Sequence, residues 1–226
     1  MRSRKLEAMI LLGAAAVAGC SSAPYTQIQA AYGKGEYFPE TGNISLICGR
    51  ARVGGKAADY AEFRLGADVC FAKLPDKVTQ DTFSIDLGPI FGKKEAVIDG
   101  ITTERRVSIS VPVEYDVKIF EANIPSDAPE ELGLRVPGYH DVELHLITGV
   151  GYTIDVTTKK MDYTSGDNAI SSLPGVDIDG NFYLEPGLEL LLFGRIPVGT
   201  SIRLNQGKDG DANNNYFFSG GGRIQW

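Results

Sequence analysis

The stretch 181–226 decides the fold because it repeats one pattern three times. It reads NFYLEPGLELLLF over 181–193, PVGTSIRLNQ over 197–206 and YFFSGGGRIQW over 216–226. In each run alternate residues are mostly apolar, and charged residues or glycine stand between them. Successive side chains of a β-strand point to opposite faces. The pattern therefore predicts three strands that have lipid on one face and a polar interior on the other.

The same alternation continues upstream and predicts five further strands, at about 44–53, 60–73, 82–92, 107–120 and 141–157. The strand 60–73 shows the pattern most clearly. Its apolar register consists of Ala61, Phe63, Leu65, Ala67, Val69 and Phe71. A helix with this sequence would carry charges around its whole circumference, so the pattern favours a strand.

These eight strands predict a closed barrel. Sheets that expose so many apolar side chains would aggregate in water. In lipid every backbone polar group must be paired, so the sheet has to close on itself. We therefore expect an all-β protein in which residues 43–226 form an up-and-down antiparallel transmembrane β-barrel of eight strands. The even number of strands places the barrel's first residue and Trp226 on the same, periplasmic side.

Residues 1–19 have the composition of a targeting segment. A basic start precedes the apolar run AMILLGAAAVAG, which ends in Val17-Ala18-Gly19-Cys20. This ending resembles the lipobox of bacterial lipoproteins, a family in which the cysteine is acylated, for example with palmitate. The resemblance implies a Gram-negative outer-membrane lipoprotein that is anchored through Cys20 on the periplasmic side, with a lipidated tether over 20–42. One alternative to the lipobox is an ordinary signal peptide that is cut near Ala23. An alternative to the tether is that residues 25–38, which include QIQAAYGKGEYF, add a further strand.

The net charge argues against nucleic acid as a partner. The chain carries a formal net charge of −7 at pH 7, and removal of residues 1–19 takes away three positive charges and one negative charge, which leaves −9. Nucleic-acid binding needs a basic surface that neutralises phosphates.

The region 43–226 resembles the small eight-stranded outer-membrane barrels, of the type of the OmpA transmembrane domain and the opacity proteins. The resemblance rests on SVPVEYDVKIF at 110–120, on ITGVGY at 147–152 and on the final succession GLELLLF, SIRL and GGGRIQW. It implies contact with outer-membrane lipid and lipopolysaccharide, and the terminal aromatic residue resembles the signal that the barrel-insertion machinery reads. The lipobox departs from the family pattern, and it indicates a specialised member or a member of an envelope protein complex.

The inward register collects most of the charged residues and is the largest candidate site. An eight-stranded barrel is just wide enough for side chains to fill it, and charges removed from water must be paired. The pattern therefore favours a network of ion pairs in the lumen over an ion path or a catalytic site. We expect the network to consist of Arg50, Arg52, Glu62, Arg64, Asp68, Asp86, Glu114, Asp116, Lys118, Glu143, His145, Asp155, Glu185, Glu189, Arg203 and Arg223.

Cys48 and Cys70 fall on the inward register of adjacent predicted strands, at similar distances from the turn between them. A cross-strand pair can satisfy the limit of about 7 Å between Cα atoms that a disulfide requires, and an oxidising periplasm favours the bond. The alternative is two buried free thiols. His140 and His145 are five residues apart and point to opposite faces of a strand, so they predict no metal site.

The sequence therefore predicts a lipid-anchored outer-membrane barrel with a structural or interaction role and no cofactor, because no catalytic or metal-binding motif accompanies the membrane pattern. One alternative is a barrel enzyme acting on lipid A or another lipid. Two families of small-barrel enzymes use histidine with serine and an acid, and His145 lies near Glu143. A further alternative is a narrow channel.

Overall fold

The computed structural model describes residues 22–37, 42–74, 76–86, 93–125, 133, 136, 138–165, 168–171, 175–206 and 212–225. These residues form ten strands: β1 Ser22–Tyr37, β2 Gly42–Ala58, β3 Ala61–Lys73, β4 Lys77–Asp86, β5 Lys93–Ala122, β6 Val142–Ser165, β7 Asn168–Ser171, β8 Gly175–Leu192, β9 Ile196–Gln206 and β10 Ala212–Gln225. In the described part of the chain, no helix has the length and apolar character that a bilayer crossing demands.

Eight of the strands form a closed ring in the order β1–β2–β3–β5–β6–β8–β9–β10, and β10 pairs with β1. All of these pairs are antiparallel. The predicted all-β, up-and-down barrel of eight strands is therefore confirmed. Ile28 on β1 is paired directly with Gly222 on β10. If the pairing is followed from Ile28 the other way around the ring, from strand to strand, it reaches β10 at Ala212. The two positions on β10 are ten residues apart, which is the offset of the ring. Such an offset tilts the strands against the barrel axis, typically by about 35–45°.

The two ends of the barrel differ. At the end called here the terminal end, β1 begins, β10 ends, and short turns join β2 to β3 and β8 to β9. At the opposite end, the hairpin end, β5 and β6 continue beyond the ring. There β4 pairs only with residues 93–102 of β5, and β7 pairs only with residues 162–165 of β6.

Two predicted assignments are wrong, although the number of ring strands is right. The expected tether over 20–42 contains β1, which pairs with both β2 and β10. The predicted strand 82–92 is not in the ring, because residues 82–86 belong to β4 and residues 87–92 lie outside the described part.

Both errors have a physical reason. The outward face of β1 carries small or polar residues such as Thr26, Ala30 and Lys34 between its apolar ones, so its period is weak. The hairpin that β4 forms with β5 beyond the ring shows the same alternation of apolar and polar residues as a ring strand. As a consequence β2 and β3 run opposite to the direction that a first ring strand at 44–53 implies, and Phe71 lies toward the hairpin end.

The outer wall of the ring is apolar and exposed. Ile28, Ile47 and Ile224 leave 63%, 66% and 67% of their surfaces uncovered. Exposed aromatic side chains form two belts, one toward the terminal end (Tyr60, Tyr115 and Phe120) and one toward the hairpin end (Tyr32, Phe71, Phe182, Tyr216 and Phe218). Two such belts mark the two interfaces of a spanning barrel. Cys20 and Trp226 lie outside the described residues.

Candidate functional site

The inner wall of the ring is charged and buried. Thirteen of the predicted network residues are at most 7% exposed: Arg50, Arg52, Glu62, Arg64, Asp68, Glu114, Asp116, Glu143, His145, Glu185, Glu189, Arg203 and Arg223. They come from β2, β3, β5, β6, β8, β9 and β10, where they alternate with the residues of the outer wall. Their side chains form two connected groups of ion pairs.

Arg64 is the centre of the first group, which lies toward the terminal end. Its Nη2 contacts Asp116 and, at 2.8 Å, Glu189. Its Nε donates to the Tyr25 hydroxyl at 2.9 Å, and that hydroxyl donates to Glu62 Oε2 at 2.7 Å. A chain of hydrogen bonds and ion pairs therefore crosses the lumen between β1, β3, β5 and β8.

Arg223 joins this group from the last strand. Its Nη1 lies 3.3 Å from Glu62 Oε2, and its Nη2 lies 3.6 Å from Glu189 Oε1. The guanidinium carbon lies 3.9 Å from the centre of the Tyr25 ring, and Nε donates to Gln27 Oε1 at 3.1 Å. Because Tyr25 and Gln27 are on β1, the Arg223 side chain links the first and last strands where the ring closes.

Asp68 is the centre of the second group, nearer the middle of the barrel. Its Oδ1 accepts from Arg52 Nη1 at 2.5 Å, and its Oδ2 accepts from Arg203 Nη2 at 2.6 Å. Arg52 Nε in turn donates to Glu114 at 2.7 Å, and Arg203 Nε donates to Glu185 at 2.8 Å. Each of the two guanidinium groups thus bridges two carboxylates, and together they link five strands, β2, β3, β5, β8 and β9.

Arg50 borders a small cavity between the two groups. Its Nη2 lies 2.9 Å from Glu185 Oε1, and its guanidinium lies 4.4 Å from the centre of the Phe217 ring. The cavity has a volume of about 30 Å³ and is also lined by Gln29 and Glu189. This space has room for about two water molecules, since one needs roughly 10–15 Å³ by the same measure.

His145 lies between two carboxylates. Its Nδ1 is 2.7 Å from Asp116 Oδ1, and its Nε2 is 3.1 Å from Glu143 Oε2. Both ring nitrogens face acceptors, an arrangement that suits a doubly protonated imidazole. The hydrogen bonds described for this ring reach these two carboxylates. Within the described residues, no group of three or more His, Cys, Asp or Glu side chains is arranged to hold a metal ion.

The other predicted network residues lie at the edges of the lumen or outside it. Lys118 forms an ion pair with Glu121 at 2.5 Å near the terminal end. Asp155 accepts a hydrogen bond from Ser108 toward the hairpin end. The prediction that Asp86 faces the lumen is wrong, because Asp86 belongs to β4 and β4 is not a ring strand.

The mouth of the barrel at the terminal end is covered by Val136 and Tyr139. These two residues pack with Leu191 in a buried apolar cluster. The Tyr139 hydroxyl reaches Glu62 Oε1 and donates to it at 3.2 Å. Burial and the nearby Glu62 carboxylate raise the pKa of the Tyr139 phenol well above its usual range, so the hydroxyl keeps its proton and remains a donor.

The turn between β8 and β9 makes room for this cover. Phe193 and Gly194 have positive φ values of 53° and 68°, and Arg195 N–H donates to the Leu192 carbonyl at 2.9 Å. A Cβ atom added to Gly194 would lie 2.9 Å from Tyr139 Cβ. Glycine is therefore required both for the backbone conformation and for the close approach of Tyr139.

Toward the hairpin end the lumen contains an apolar cluster beside polar groups of β5 and β6 such as Glu104, Ser108 and Asp155. A buried cluster there consists of Ala31, Ile44, Leu46, Cys48, Cys70, Ala72, Leu74 and Phe217, and we call it the apolar layer. Cys48 and Cys70 are directly opposite each other on β2 and β3, with their Cα atoms 4.1 Å apart, and a disulfide joins them. The described lumen thus has three sections: the cover, the charged section and the apolar layer.

Sequence reasoning missed the contributions of β1 and of the cover. Gln27 and Gln29 each donate to Glu189, at 2.9 and 3.1 Å. The alternation of these glutamines with Thr26 and Ile28 was an available signal for an inward register. No local signal pointed to Tyr139, because its partner Glu62 is 77 residues away in the chain.

The ring and its filled interior define a class, namely the small eight-stranded barrels of the outer-membrane type. No family model matches the chain, and no curated protein sequence matches it. Among solved structures it is similar to Ail, the attachment invasion locus protein of Yersinia pestis, with 13% identity and a TM-score of 0.37 over 89% of this chain and 97% of that one. It is also similar to Neisserial surface protein A (15%, 0.42, 91% and 100%) and to the N-terminal β-barrel domain of Pseudomonas aeruginosa OprF (9%, 0.38, 88% and 97%). These similarities concern the fold alone.

Proposed function

We propose that this protein is a lipid-anchored barrel of the bacterial outer membrane with a structural or interaction role and a closed lumen. The polarity of the wall carries the proposal: exposed apolar side chains cover the outside, and inward charges are paired with one another. Contact with outer-membrane lipid and lipopolysaccharide, and assembly by the barrel-insertion machinery, belong to the same proposal. The paired charges and the cover leave His145 without access to a substrate, which disfavours an enzyme.

The hairpin end offers the surface for a protein partner in the envelope. Val78 and Ile178 leave 74% and 69% of their surfaces exposed, and Ile101, the partner of Val78 on β5, is also exposed. Ile178 lies four residues beyond Phe182 of the aromatic belt, which corresponds to about 10 Å along the barrel axis. Apolar side chains beyond the lipid belt support an interaction surface.

Photo-cross-linking in intact cells tests this role. A photoreactive residue at Val78 or Ile178 is expected to give a reproducible protein adduct, whereas the same residue at Ile28 or Leu188, in the lipid belt, is expected to give none. Adducts with lipid alone at all four positions would contradict the interaction role.

The start of β1 determines where a lipid anchor on Cys20 would be attached. Because β1 begins at Ser22, an acyl group on Cys20 would be attached beside the wall at the terminal end, which supports a periplasmic position for that end. Metabolic labelling with an alkyne analogue of palmitate should mark the wild-type chain and the Cys48→Ser variant but not Cys20→Ala. An unlabelled wild-type chain would contradict the anchor.

A further inference from the structure

A groove opens on the outer wall near the junction between β3, which ends at Lys73, and β4, which pairs with β5 from Lys77 onward. It has a volume of about 930 Å³. Its lining includes apolar side chains from β2, β3 and β5 and polar groups from β5 and β6. The groove is therefore amphipathic along its length, which sets it apart from the surrounding apolar wall.

The part of the groove nearer the membrane centre is apolar. Ile47 and Phe71 are direct partners on β2 and β3 and are 66% and 57% exposed. Val107 is the partner of Phe71 on β5 and faces the same side. Because Phe71 belongs to the aromatic belt, this floor is continuous with the lipid-facing wall. Such a surface suits an acyl chain.

The part nearer the hairpin end is cationic on balance, because Arg105 and Arg106 outnumber the one carboxylate that lines it, that of Asp76. Arg105 lies on the same face of β5 as Val107, two residues nearer the hairpin end, and its side chain is exposed. The neighbouring Arg106 and Thr158 also line the groove. The Thr158 hydroxyl donates to the Arg105 carbonyl at 3.3 Å, which ties the two strands together at this point. An exposed guanidinium just above an aromatic belt is placed at the level of lipid headgroups, and its planar donors suit phosphate oxygens.

We propose that this groove binds one molecule of a phosphorylated lipid from the surrounding leaflet. The acyl chain lies on Ile47, Phe71 and Val107, and the phosphate binds Arg105. A free phosphate would use only the cationic part, and an uncharged lipid would use only the floor. The inference rests on the proposed function, because it requires the barrel to lie in a membrane.

Native mass spectrometry of the purified full chain in maltoside micelles tests the site, with lipid A, dephosphorylated lipid A and inorganic phosphate as probes. Arg105→Gln is expected to weaken lipid A binding about tenfold, as the loss of one charge-assisted contact does. Lys160→Gln makes the same charge change at the hairpin end outside the groove and should leave binding unchanged. Phe71→Ala should weaken binding, whereas Phe182→Ala, a change in the same belt, should not.

Three results would overturn the site: equal loss in both charge variants, equally tight binding of dephosphorylated lipid A, or binding of inorganic phosphate as tight as that of lipid A. Heat-modifiable migration in gels shows whether each variant is folded, and Arg105→Lys, which keeps the charge, replaces a variant that is not. A folded chain that inserts into vesicles but binds no lipid A contradicts this inference alone. A chain that does not insert contradicts the proposed function as well.

Discussion

The charged section and the apolar layer occupy the same inner wall, yet they close the lumen by different physics. Around Arg64 and Asp68, guanidinium and carboxylate groups from strands distant in sequence meet at hydrogen-bonding distance. Around Leu46, small and branched apolar side chains and a disulfide fill the space. Ion pairs need one particular arrangement of strands, whereas apolar packing tolerates several.

This difference suggests a division of roles. A register slip of one residue would turn the inward charges toward lipid, which is very costly. We infer that the charged section specifies which face of each strand is inside and which strands are neighbours. The apolar layer, in which apolar contacts and a disulfide fill the space, chiefly seals the hairpin end.

Asp68→Ala should have the largest effect on stability. It leaves the buried guanidinium groups of Arg52 and Arg203 without a shared carboxylate, and breaking a buried pair in this way costs about 3–5 kcal/mol. Denaturant unfolding followed by circular dichroism in micelles measures the loss. Asp162→Ala is the matched control, because the pair of Asp162 with Lys160 is solvent-exposed and should change stability by less than about 1 kcal/mol. Equal losses would refute the role of the charged section.

Removal of the disulfide should have the next largest effect. Replacing Cys48 and Cys70 by serine frees a loop with a sequence separation of 22 residues, for which we expect a loss of about 3 kcal/mol. The same unfolding experiment measures it. Thiol labelling of the denatured, unreduced wild-type chain should find neither cysteine reactive, and labelling of both would disprove the bond.

Leu46→Ala tests the packing of the apolar layer. Leu46 is 4% exposed, so truncation should leave a cavity and cost about 2–3 kcal/mol. Its neighbour Ile47 faces outward, where lipid or detergent fills the space, and Ile47→Ala should cost less. A larger loss for Ile47→Ala would mean that the inward face is not the packed one.

Tyr139→Phe should have the smallest effect. It removes the hydrogen bond from the cover to Glu62, while Tyr25 still donates to that carboxylate, so the loss should be about 1 kcal/mol. Tyr60→Phe, at an exposed position, is the control and should not alter the unfolding midpoint. If both variants behave alike, Tyr139 does not hold the cover in place.

The sequence alone predicted the faces of the strands far better than their neighbours. Phe182 and Glu185 lie on opposite faces because alternation is a local property that can be counted along the chain. Whether a strand is in the ring depends on pairing along both of its edges, which no local period records. For this reason local alternation predicts a tether where β1 lies and a ring strand at 82–92, where β4 lies outside the ring.

The candidate site follows the same rule. Alternation places Arg223 and Glu62 in the lumen, but 161 residues separate them, and their contact arises because the ring closes and brings β10 near β3. The assignment of Asp86 to the lumen failed for the converse reason, since its strand alternates but does not enter the ring. The cover formed by Val136 and Tyr139 depends on contacts with Leu191 and Glu62 that only the closed barrel creates.

Single-channel recording in planar lipid bilayers tests the closed lumen most directly. The purified full chain, inserted and shown to be folded by its heat-modifiable migration, is predicted to give no conductance steps above the bare bilayer. Reproducible ohmic steps that scale with salt concentration would contradict a lumen closed by ion pairs, the cover and the apolar layer.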